Sequence, residues 1–151
     1  MRLAEYFVNA HDPKVLTVRQ VMEDQVFTVG PETKAITIAE MMTDRNFGSV
    51  PIVKQDSTLV GLVSEFDLLR AIEEGKDLHR VTAQEIMTKD VVTVTEDLLV
   101  KDLIHLLQSQ HLIRAPVVRG TTLVGIASRR DAVFGYVKAT SKYWWPGKGS
   151  E

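Results

Sequence analysis

Apolar positions along the chain switch between a spacing of two and a spacing of three to four, and the same succession of spacings occurs twice. Val26-Phe27-Thr28-Val29 is a β-prone run ended by Gly30-Pro31. Thr37-Ile38-Ala39-Glu40 then has the form of a capping box, with Ile36 and Met41 spaced as a hydrophobic staple, and predicts a helix running towards Asn46. A strand Val50-Pro51-Ile52-Val53 follows, tolerating Pro at its start or on an edge. After a turn over residues 54–58, a second apolar run over 59–63 completes an antiparallel hairpin. It leads through Ser64 into a helix carrying Phe66, Leu68, Leu69 and Ile72, with Gly75 as its C-terminal cap. The second succession reads Val91 to Val94, a helix capped by Asp102 with Leu103, Leu106 and Leu107 on one face, then Ala115-Pro116-Val117-Val118, Leu123 to Ala127, and a helix with Ala132, Val133, Tyr136 and Val137.

The repetition is arithmetical. Adding 65 carries Thr17 to Thr82, Met22 to Met87, Val26 to Val91, Pro51 to Pro116 and Val53 to Val118. Adding 64 carries Leu59-Val60-Gly61 to Leu123-Val124-Gly125, Ser64 to Ser128 and Asp67 to Asp131, so the second copy has lost one residue in its hairpin turn. The chain divides into a lead segment (1–16), a first repeat (17–75), a linker (76–81), a second repeat (82–138) and a tail (139–151). Each repeat is β-α-β-β-α, an α+β unit too small to bury its own apolar faces well, and the two are expected to pack on each other.

Composition narrows the chemistry. Without cysteine there is no disulfide, thiolate metal site or cysteine nucleophile. A net charge of -2 disfavours sequence-independent nucleic-acid binding, which needs excess Lys and Arg for the phosphates. The first residues lack the apolar run of a signal peptide, and no stretch approaches the roughly 20 apolar residues of a membrane helix; the expectation is a cytoplasmic protein without membrane association. His105 and His111 are too far apart for an i, i+4 metal pair, His79 lies in the linker, and His11 adjoins a turn-forming Asp-Pro. Met22, Met41, Met42 and Met87 read as core. No metal site and no catalytic constellation is expected. Trp144-Trp145 gives the tail two side chains of about 200 Å² each, fit for docking or for a partner.

The twice-written phrase Gly-x-x-Ser-x-x-Asp can do either of two things. Ser-x-x-Asp ahead of an apolar helix is a capping-box variant. A helix N-terminus with a Ser hydroxyl is equally an anion site, while a carboxylate can accept from two vicinal hydroxyls, as a ribose presents them. Gly61 and Gly125 would let the backbone approach a ligand.

In combination these motifs resemble a tandem pair of CBS domains, the cystathionine β-synthase-type regulatory modules. The similarity covers residues 15 to 138 and rests on Val21-Met22 and Ile86-Met87, the two Pro strands, and the two Gly-x-x-Ser-x-x-Asp phrases. The resemblance implies two repeats packed about a pseudo-two-fold axis, a homodimer, an adenine nucleotide (AMP, ADP or ATP) as ligand rather than a catalytic cofactor, and an unidentified protein that the module regulates. It implies ribose contacts for Asp67 and Asp131, phosphate contacts for Ser64 and Ser128, and a phosphate partner in Arg114, where the first repeat has Ser49. It also implies that the loop and first strand of the opposite repeat frame the base: Glu23 to Thr28, including Val26, for Asp131, and Thr88 to Thr93 for Asp67. Charge separates the copies. Arg114, Arg129 and Arg130 surround Ser128, whereas Ser64 has Ser49, Glu65 and Phe66, with Lys89 as partial compensation. The second cleft is therefore the better nucleotide site, and a ligand-free interaction module is the alternative.

Overall fold

The computed structural model describes residues 12–140. The apolar positions Leu3, Tyr6 and Phe7, which the sequence spaces as a helical stripe in the lead segment, His11 and the Trp144-Trp145 tail lie outside the described residues. After a short 3-10 turn (Pro13–Val15) come α1 (Val18–Val21), α2 (Ala35–Arg45), β1 (Ser49–Val53), β2 (Leu59–Ser64), α3 (Glu65–Glu73), α4 (Ala83–Ile86), α5 (Val100–Ser109), β3 (Arg114–Arg119), β4 (Thr122–Ser128) and α6 (Arg129–Thr140). The strands form two hairpins, β1-β2 and β3-β4. In the first the pairing is antiparallel, with Ser49 opposite Ser64 and a register shift between Ile52 and Val53. The expected α+β architecture of two repeats, each a hairpin with helices, is what the chain adopts.

The expected first strand of each repeat is corrected: it shrinks to a single parallel bridge, Val29 to Ile52 and Val94 to Val117. Proline is the reason. Val29 N-H donates to Pro51 O and accepts at its own carbonyl from Val53 N-H. The next rung backwards would need an N-H on Pro51, which has none. Pro116 ends the Val94 pairing in the same way, between Val94 N-H to Pro116 O and Val118 N-H to Val94 O.

The expected helix starts are corrected too. Thr37 lies inside α2 and Asp102 inside α5; the positions ahead of the helices are Lys34 and Leu99, neither making a side-chain cap. Main-chain carbonyls from distant segments cap them instead: Ala35 N-H and Ile36 N-H donate to Val81 O and Leu78 O, and Val100 N-H donates to Leu16 O. The C-terminal expectation for Gly75 holds. At φ +80° it lets its own N-H reach Ile72 O while Lys76 N-H reaches Ala71 O, closing a Schellman motif on α3.

The chain forms two compact units that do not follow the repeat order. One holds residues 12–26, 92–119 and 124–140; the other holds 27–91 and 120–123. The short arm ahead of each repeat is thus grouped with the body of the other. In the first unit Leu16, Val18, Val21 and Met22 share a core with Val100, Leu103, Leu107, Val117, Ala127 and Ala132. In the second, Ala83 and Ile86 share one with Ala35, Ile38, Val50, Ile52, Val63 and Leu68.

Candidate functional site: two capped helices with unlike partners

Each phrase folds as a strand that passes through its glycine and runs directly into a helix. β2 ends at Ser64, whose extended backbone and side chain cap α3: Asp67 N-H donates to Ser64 Oγ at 3.3 Å, and Ser64 N-H returns a bond to Asp67 Oδ2 at 2.8 Å. β4 ends at Ser128 with the same reciprocal pair, Asp131 N-H to Ser128 Oγ and Ser128 N-H to Asp131 Oδ2, both 3.0 Å. Both aspartates are buried, at 2% and 8% exposure. The capping role of Ser-x-x-Asp is therefore realised in both copies.

The glycines carry a different duty from the one expected. A Cβ on Gly125 would stand 2.8 Å from Met22 Sδ and 2.9 Å from Glu23 O, and one on Gly61 would stand 3.0 Å from Thr88 O and still closer to Met87. Each arm lies against the glycine of its unit's hairpin, held by paired main-chain bonds between Glu23 and Ile126 and between Thr88 and Leu62. The close approach is by protein, and this corrects the reading that reserved it for a ligand.

Around Asp67 the second unit is fully engaged. Asp67 Oδ2 takes a further bond from Ser64 Oγ at 3.0 Å, while Oδ1 accepts from Arg70 Nη2 at 2.7 Å and from Thr88 Oγ1 at 3.0 Å. Arg70 lies outside the sequence-based site, although its i+3 spacing from Asp67 on a helix could have revealed it. Thr88 falls at the edge of the expected 88–93 segment. Lys89 is exposed on the loop after α4. Ser49, opposite Ser64, is buried, and its hydroxyl makes no hydrogen bond among the described residues.

In the first unit, Arg114 opens β3 and Ser128 closes β4, so both stand at the helix end of the hairpin. Arg129 N-H and Nε bond Ile113 O and Leu112 O at 2.9 and 2.7 Å, which ties its guanidinium to the turn ahead of β3. Arg130 shares the helix face of Val133 and Tyr136, which are 64% and 55% exposed, and so stands apart from the Asp131 side. Val26 belongs to this unit. Thr28 and Thr93 do not group with the aspartates expected beside them: Thr28 is in the second unit and Thr93 in the first. A cavity of about 800 Å³ in the second unit is lined by Thr28, Gly30, Pro31, Lys54, Asp56 and Gln84 among others. It lies at the turn end of β1-β2, the opposite end of the hairpin from Ser64 and Asp67.

The CBS domain family model matches residues 18–74 and 83–137. The chain belongs to the CBS domain family. An uncharacterised protein of Methanopyrus kandleri is 32% identical over 77% of this chain, which spans only 60% of that relative's length. The crystal structure of CBSX2 in complex with AMP superposes with a TM-score of 0.76 at 26% identity, covering 83% of this chain and 99% of that one. That of the CBS domain pair of protein MJ0100, in complex with 5-methylthioadenosine and S-adenosyl-L-methionine, gives 0.71 at 25% identity over 80% and 98%. The chain is a tandem CBS pair. Among the described residues no helix is long and apolar enough to cross a membrane.

Proposed function

We propose that this CBS pair is a regulatory module that binds an adenine nucleotide beside the start of α6 and passes the bound state to a partner protein. The observation that carries the reading is the arrangement at one end of the second hairpin: the capped, buried Asp131, the Ser128 hydroxyl at the N-terminus of a 12-residue helix, and the arginines Arg114 and Arg129 from β3 and α6. Asp131 would take the ribose hydroxyls. Ser128, the first amides of α6 and the two guanidinium groups would take phosphate, and Val26 would border the base. The AMP complex of CBSX2 supports an adenine ligand, and the MJ0100 complex supports testing S-adenosyl-L-methionine beside it.

Isothermal titration with AMP, ADP, ATP and S-adenosyl-L-methionine tests the reading. At least one nucleotide should bind, and Asp131→Ala should abolish the binding. Arg114→Ala should weaken it by about 10- to 100-fold, the equivalent of one charge-assisted hydrogen bond of about 1.5–3 kcal/mol. Absence of heat with all four, or an unchanged affinity in Asp131→Ala, would sink the proposal.

A second copy of the chain fits the apolar faces left exposed. Phe66, Leu69 and Ile72 on α3, and Val133, Tyr136 and Val137 on α6, are between 43% and 71% exposed. Leu69 and Ile72 occupy the same repeat positions as Val133 and Tyr136, so both copies leave one helix face apolar. Ligand would act by differing in affinity for the arrangements that such an assembly can adopt.

A further inference from the structure

We infer that Asp24 reads the base of the nucleotide: one oxygen of its carboxylate accepts the 6-amino N-H of adenine and so sets the preference for that base. The inference rests on the nucleotide reading of the α6 site. The observation behind it is a buried acceptor. Asp24 Oδ1 is shut off from solvent and receives no hydrogen bond among the described residues. A carboxylate oxygen held out of water without a donor is costly, and native proteins leave few of them. A donor brought by a ligand would remove that cost. The repeated scaffold does not demand such a group, because the offset of 65 puts the exposed Lys89 at the matching place of the other arm.

The place of Asp24 is fixed from both sides. Ahead of it the Glu23 main chain exchanges two bonds with Ile126 of β4, at 2.8 and 2.9 Å. Around it Gln25 N-H donates to Glu23 Oε1 at 3.2 Å, a bond that spans Asp24. Asp24 and Asp131 belong to the same compact unit. From Ile126 two residues of strand, about 7 Å, lead to Ser128 and the start of α6. That length is of the order that separates the 6-amino group of an adenosine from its ribose hydroxyls. An ionised carboxylate only accepts, so it selects for a donor at the edge of the base. Guanine presents two donors side by side, which suit both oxygens of a carboxylate together, whereas the 6-amino group of adenine needs one. Of the two Asp24 oxygens only Oδ1 is buried and without a donor, and this favours adenine.

Isothermal titration of the full chain compares AMP with purine riboside 5'-monophosphate, the same molecule without the 6-amino group, with the corresponding triphosphates run alongside. The wild type should bind the amino compound about 10- to 100-fold more tightly, the range expected of one hydrogen bond to a charged group. Asp24→Ala should bring AMP down to the affinity of the analogue and leave the analogue where it was. Thermal melts establish that the variant is folded. Asp24→Asn, whose amide still accepts but carries no charge, serves if the first variant is not, and should narrow the ratio. IMP and GMP complete the panel and should bind more weakly than AMP. Equal binding of AMP and the analogue by the wild type would overturn the inference while leaving the nucleotide reading intact. A ratio unchanged in the folded variant would overturn it too, as would IMP or GMP binding as tightly as AMP. No binding of any of these compounds would remove the nucleotide reading, and the inference with it.

Discussion

Single residues in the repeated phrase divide into those that hold the fold and those that differentiate the copies. Gly125 is fixed by its neighbours, since any Cβ would enter the space of Met22 Sδ and Glu23 O. Gly125→Ala should therefore destabilise the protein by about 1–3 kcal/mol, as overpacking does, and should do so without any ligand present. Urea unfolding of the apo protein measures it; a change below a few tenths would mean that the arm yields freely. Ser64→Ala removes a cap and should cost about 1 kcal/mol by the same measurement. Ser64, Asp67, Ser128 and Asp131 could be picked out from sequence because capping is decided within four residues. Arg70 escaped because its meaning depends on Asp67 being already buried, whereas Thr88, from 21 residues away, falls within the segment expected beside Asp67 and donates to its carboxylate.

Elements were legible where their determinants are local. The two hairpins, the apolar faces of α2, α3, α5 and α6, and the Gly75 stop are written in spacing and turn chemistry. The helix starts were misplaced because Val81, Leu78 and Leu16 carbonyls substitute for side-chain caps, and no short window contains them. The first strands were overestimated because Pro51 and Pro116 remove the donor that would extend the ladder. The β1-β2 turn gives a local test. The Thr58 hydroxyl, and then the Thr58 N-H at 3.1 Å, hold the Asp56 carboxyl below its ordinary value of 3.8. A depressed folded-state value stabilises the turn above the unfolded pKa, and that support is lost as pH falls through the folded one. NMR titration should find the Asp56 midpoint below 3.8, and Thr58→Val, which keeps the N-H and removes the hydroxyl, should move it back up.

At the scale of the whole molecule the repeat is visible in sequence, but the allocation of its arms is not, because arithmetic offsets say what is alike and not what packs together. Leu16, Val18 and Val21 complete the core built by α5, β3, β4 and α6, whereas Ala83 and Ile86 complete that of α2, β1, β2 and α3. A fragment ending at residue 80 should therefore show no cooperative thermal transition, and adding a fragment from residue 81 onward should restore one, read by circular dichroism. Charge on the exposed faces gives a separate check. Leu69→Glu with Tyr136→Glu should leave the fold intact and, if a second copy covers these faces, should convert a dimer to a monomer in sedimentation velocity. The exchange of arms also dictates an order of events during synthesis. Residues 27–91 emerge from the ribosome with nearly everything their core requires, but the arm carrying Leu16, Val18 and Val21 is translated ahead of them and cannot be covered until β4 and α6 have followed it out. Until residues 124–140 have been made that arm is bare, and a chaperone that grips short apolar segments would find its target there.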